Sequence, residues 1–214
     1  MKAQGEPLNQ HKCKETFGRS GKEHLGEALT ESLSYEVVVK DKHGRLIQSE
    51  NGLSRSFTEA WNKLINCNAR QGSNTIKDTS GTERSVGAAS SHLRASAGIG
   101  DVSRGIRVGR GTTPVDISDY ALEDPVDEGT GPGQLSHQEM QFSTPVVVGS
   151  ECSFKLWRVM FNYTGALVTG IREIGCYVMM APYYALAFRD VLASSFSVPD
   201  GGAITVTYEI KVSA

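Results

Sequence analysis

The chain has 214 residues, 39% of them hydrophobic and 7% aromatic, with a formal net charge of −2; this is long enough to bury one sizeable core, and the near-balance of charge excludes nucleic-acid binding driven by the overall field. No run approaches the roughly 18 consecutive apolar residues of a membrane helix, and the opening MKAQGEPLNQ lacks the apolar stretch of a signal peptide, so a soluble chain made inside a cell is expected. The four cysteines, Cys13, Cys67, Cys152 and Cys176, lie far apart with no CxxC pair, which argues against both a zinc site and a disulfide-stapled secreted scaffold.

Residues 1–34 carry five lysines or arginines, five glutamates and one aromatic, Phe17. That is too little apolar surface to offset the entropy of ordering, and the segment is read as an extended arm ahead of a single domain over 35–214. YEVVVK (35–40) is a strand by its branched and aromatic residues, DKHGR a turn, and LIQS a second strand, which makes a hairpin. Ser56 and Glu59 have the spacing of a capping box. Phe57, Trp61, Leu64 and Ile65 follow at helical spacing, so SFTEAWNKLIN is expected to be one short amphipathic helix with Trp61 in the core. From about 68 to 104, Ser, Gly, Thr, Ala and Asn dominate, and a long polar loop with room for one or two short edge strands is expected.

GIRVGRGTTPVDISDYALEDPV (105–126) is rich in glycine and basic at Arg104, Arg107 and Arg110, yet it carries no nucleotide signature. Gly105, Gly109 and Gly111 lack the lysine of a phosphate-binding loop and lead into Thr-Thr-Pro rather than a helix. GIGDVSRG misses the spacing of a dinucleotide fold, and nothing near it alternates strand with helix. The stretch therefore reads as a strand entry in which glycines turn the chain and Tyr120 and Leu122 dock. The three arginines, with Asp116, Asp119 and Asp124 in the acidic run that follows, are assigned to a subunit interface, basic surface against acidic.

The last third is β throughout. SFKLWRVMFNY and LVTGIREIGCYVMM flank Thr164-Gly165 and read as one long hairpin. Cys152 and Cys176 are each twelve residues from Thr164, so a hairpin closing there without a bulge would place the two thiols opposite each other. VPDGG is a turn, and AITVTYEIKV alternates Ile204, Val206, Tyr208, Ile210 and Val212 with polar residues, a strand buried on one face. The whole is expected to be mainly β, an antiparallel, jelly-roll-like sandwich with one short helix.

No constellation in the chain assembles a recognisable chemistry. His11, Cys13 and His24 lack a fourth ligand at a metal-site spacing. The carboxylates from Asp116 to Glu128 lack a DxDxDG calcium loop. No GxSxG elbow gathers a serine, a histidine and an acid. Neither a catalytic residue nor a cofactor or metal site is assigned, and no enzyme is expected.

Taken in order, GIRVGRGTTPVDISDYALEDPV, EGTGPGQLSHQEMQF, FNYTGALVTGIREIGCYV, LAFRDVL and VPDGGAITVTYEIKV resemble a recurrent pattern in structural proteins of tailed bacteriophages, over about residues 100–214. The resemblance implies a virion component, assembled in the host cytoplasm, whose partners are other virion proteins and copies of itself. It assigns no catalytic residue. A second reading is a receptor- or glycan-binding module of a fibre or baseplate, with Trp157, Tyr163, Tyr183 and Tyr184 supplying aromatic contacts.

Overall fold

The computed structural model describes residues 30–54 and 56–213. The part of the expected arm before residue 30 lies outside these, as do the metal candidates His11, Cys13 and His24. Residues 30–34, which composition assigns to the arm, lie in the first strand, and Leu33 among them is buried.

Two antiparallel sheets enclose the core. The larger is built on β1 (Thr30–Lys40), β2 (Leu46–Ser54), β9 (Glu151–Phe161) and β12 (Ala203–Ser213), in the order β2-β1-β12-β9. Three short strands, β6 (Ser136–His137), β7 (Gln141–Phe142) and β8 (Val146–Val148), line the far side of β9. The smaller sheet has the order β11 (Tyr183–Val198), β10 (Val168–Met180), β5 (Gly105–Gly109). A separate hairpin, β3 (Asn74–Lys77) and β4 (Glu83–Val86), supplies two short strands within the long polar stretch.

Period-2 patterning explains the packing. Leu33, Val37 and Val39 on β1 and Ile204, Val206 and Tyr208 on β12 face inward, and the other sheet answers with Ile174, Cys176, Phe188 and Phe196. Phe188 and Tyr208 meet edge to face across the layers with ring centroids 4.6 Å apart. Val212, expected on the buried face, lies at the strand end and is half-exposed.

The β1–β2 hairpin forms as expected, its turn closed by the Asp41 carboxylate accepting the N–H groups of His43 and Arg45 at 2.8 and 2.9 Å. The helix α1 (Glu59–Arg70) begins three residues later than expected and runs to Gln71 in the left-handed conformation. The capping box does not form. The Ser56 hydroxyl donates to Asp190 at 3.0 Å, and the Thr58 hydroxyl donates to the Leu186 carbonyl instead of capping the helix. Trp61 is only half-buried and packs with Phe57 and Phe188 where the helix meets β11.

The long hairpin expected at Thr164 is not there. β9 belongs to the larger sheet and β10 to the smaller, so residues 162–167 cross from one layer to the other. Asn162 fixes this corner: its buried amide donates to the carbonyls of Ala166 and Val198 at 2.7 and 2.8 Å, and its oxygen accepts from the Thr164 N–H. The β11–β12 turn crosses back beside it, tied by Asn162 N–H to Gly202 O and Gly201 N–H to Asn162 O. Cys152 consequently pairs opposite Val212 and Val147, whereas Cys176 sits between Phe188 and Ile106. The facing-thiol expectation fails because the two strands were assigned to one sheet, and both thiols are free.

Candidate functional site

Charge is concentrated where the 110–126 segment lies on the smaller sheet. Glu173 on β10 is fully buried and accepts the N–H groups of Gly111, Glu123 and Asp124 at 3.1, 3.1 and 2.8 Å, together with Arg189 Nε at 2.9 Å. Arg189, 2% exposed, also pairs with Asp119 at 3.0 Å and lies 3.8 Å from Glu123. Burial works against this guanidinium, but its carboxylate partners win and raise its pKa. Leu122 is held by its N–H donating to the Tyr177 hydroxyl at 2.7 Å and packs on Tyr177 and Leu186, while Tyr120 stays on the surface.

Beside this anchor is a cleft of about 470 Å³ lined by Ser56, Phe57, Val115, Ile117, Asp190 and Val191. Its polar floor is Asp190, which accepts hydroxyl hydrogens from Ser56 and Tyr208, both at 3.0 Å. Burial pushes the Asp190 carboxyl above its ordinary range, and these hydroxyls oppose the shift. Ser56 lies 2.6 Å from the Ser54 hydroxyl, so the serine is engaged on both sides. The buried histidines contact other groups: His137 Nδ1 meets Glu128 at 2.7 Å, and His92 meets the Gly87 carbonyl. The cleft therefore offers a carboxyl, hydrogen-bonded by Ser56 and Tyr208, beneath apolar walls. Among the described residues no group of three or more His, Cys, Asp or Glu could hold a metal ion.

A second buried charge closes the other side of the core. Arg158 on β9 donates to the carbonyls of Gln138, Ile106, Gly98 and Asp101 at 2.7 to 3.3 Å and to that of Arg104 at 3.5 Å. It thereby joins the larger sheet to β5 and to the loop before it. Burial lowers its pKa to about 10, so it remains a cation at neutral pH.

The six interface residues expected from sequence are mostly engaged within the chain. Arg104 pairs with Asp101 at 3.2 Å, Arg107 donates to Val126 O, and Arg110 donates to Thr169 O and Gly133 O. Asp116 accepts from Ser118, Asp119 holds Arg189, and Asp124 is exposed beside the Glu173 anchor. The four aromatics of the glycan reading are divided between the layers. Trp157 and Tyr163 belong to β9 and the corner after it, with Tyr163 stacked on Phe161, whereas Tyr183 and Tyr184 open β11 and Tyr183 lies under Arg84.

Sequence reasoning missed Arg158, Glu173, Arg189 and Asp190. The available signal was a charge in the buried phase of a strand: Arg158 alternates with Leu156 and Met160. Comparison with known proteins gives no match, whether to a family model, a curated protein or a solved structure.

Proposed function

We propose that the protein is a non-enzymatic structural component of a tailed-bacteriophage virion, packing against neighbouring capsid, connector or tail subunits and further copies of itself through its arm and loops. The observation that carries the reading is how the buried charges are used. Glu173 accepts from loop N–H groups, Arg158 donates to loop carbonyls, and Arg189 ties the Glu173 and Asp119 carboxylates together, so the three hold long loops in one shape on a two-layer frame. Preformed loops on a rigid scaffold suit a subunit that must present the same contacts in every copy. The segments that resemble phage structural proteins include these pins: REIG contributes Glu173, FRD contributes Arg189 and Asp190, and the NYTGA and VPDGG turns meet at Asn162.

Exposed apolar side chains support association as well. Leu53, Val146 and Val148 border a groove of about 380 Å³ on the outside of the larger sheet, and Leu53 is 74% exposed. An antibody against the folded chain should label purified phage particles of its source at one location. Particles that assemble and infect without the protein, and contain none of it, would overturn the proposal.

A further inference from the structure

Among the described residues, the outer edges of three long or central strands, β11, β5 and β9, are met by other parts of the chain. Along β11, Thr79 N–H donates to Tyr184 O, Thr58 N–H donates to Ala187 O, and Glu50 accepts the N–H groups of Ala193 and Ser194. On β5, Val126 N–H donates to Val108 O and Arg110 N–H to Asp124 O. The far side of β9 is occupied by β6, β7 and β8. In contrast, β2 is a nine-residue strand at the end of the larger sheet, paired on one side with β1.

An open edge of that length is a template for another strand unless charge, proline or a bulge blocks it. β2 has no proline, and its irregularity is confined to the Lys40 end of the ladder. From Gln48 to Ser54 the register with β1 is unbroken. Gln48 and Glu50 reach to β11, which leaves Ser49, Asn51 and Leu53 on the outer face, none of them charged.

We propose that this edge pairs with the same edge of a second copy, antiparallel, about a two-fold axis at Asn51. Asn51 is the midpoint of the regular stretch, and centring there sets Gln48 opposite Ser54, Ser49 opposite Leu53 and Glu50 opposite Gly52. No like charges meet. The two Asn51 amides can exchange hydrogen bonds, and the exposed Leu53 gains a neighbour. Glu50, the one charge in the stretch, already accepts from Tyr35, Ala193 and Ser194. The two larger sheets become one continuous sheet. This inference rests on the edge alone and is independent of the virion reading.

Sedimentation equilibrium on the full chain should show a concentration-dependent dimer. Asn51→Lys or Asn51→Asp alone places like charges face to face and should weaken dimerisation about tenfold, while mixing the two variant chains should restore it. In a Cys13→Ser, Cys152→Ser background, Asn51→Cys should give a disulfide-linked dimer on mild oxidation. Leu53→Cys should do so only when mixed with Ser49→Cys. Circular dichroism checks that these surface variants keep the fold. A chain that stays monomeric, cross-linking of Leu53→Cys with itself as readily as Asn51→Cys, or dimerisation seen only after removal of residues 1–29 would each overturn the proposal, the last by giving the edge to that segment.

Discussion

Arg158 shows what a single buried residue contributes. Its guanidinium donates to five backbone carbonyls, so replacing it with Met removes the charge and all of those bonds together. We expect Arg158→Met to lose about 3 kcal/mol by urea denaturation, and Arg158→Lys to recover less than half of that, because an ammonium group lacks the reach and the fork. Glu173→Gln should cost about 2 kcal/mol, since one carboxylate oxygen and the charge facing Arg189 are lost together. Faster amide exchange at Gly111, Glu123 and Asp124, with β12 unchanged, would locate the loss in the pinned loop. His137 provides a pH signature. Burial, joined by the neighbouring Arg158 charge, lowers its pKa from 6.5 to about 4. The folded chain therefore binds fewer protons than the unfolded chain between those values, and stability is lost as pH falls from about 6.5 to about 4, on the order of 3 kcal/mol in all. Asp190 acts in the opposite sense, because a raised carboxyl pKa adds stability as pH falls through it. His137→Gln leaves Asp190 in place, so the difference between the two pH profiles isolates the imidazole. An unchanged slope in the variant would assign the effect elsewhere.

At the scale of elements, the glycines of 105–111 mark close approach of neighbouring groups to the backbone. A Cβ on Gly109 would lie 2.7 Å from the Asp124 carbonyl oxygen and also run into Glu173, so Gly109→Ala should destabilise by about 2 kcal/mol. Sequence reading identified β5 as a strand, the β1–β2 hairpin, the alternation of β12 and the existence of the helix, because each is written in a local period or turn. It could not assign β9 and β10 to different layers: an inward apolar face looks the same whichever sheet it closes, and only the buried Asn162 marks the crossing. The buried acids and arginines were illegible for a related reason, since a charge in a strand defaults to solvent until its backbone and side-chain partners, distant in sequence, are in place. The thiols offer a test of the layer assignment. In a Cys13→Ser chain, a thiol reagent should modify Cys152 first and leave the fully buried Cys67 and Cys176 unreacted until unfolding. Mild oxidation should form no bridge between Cys152 and Cys176.

For the whole molecule, the pairing of β1 with β12 joins the beginning and the end of the described chain in the middle of the larger sheet, with Thr30 opposite Ser213. The composition of the first 34 residues suggested an arm detached from the sandwich, yet the ladder starts at Thr30, and a truncation that spares the core must stop before it. Removing residues 1–29 should leave the melting temperature within about 2 °C, whereas removing 1–34 also deletes Leu33 and five ladder pairs and should lower it by about 10 °C or more. The same adjacency has a mechanical consequence. Tension applied through these two ends pulls neighbouring strands apart from one tip, so the rungs between β1 and β12 give way singly, like a zip, instead of sharing the load. Pulled instead between the Asp41–Arg45 turn and Ser213, the same ladder would be loaded along its length and should resist a much larger force.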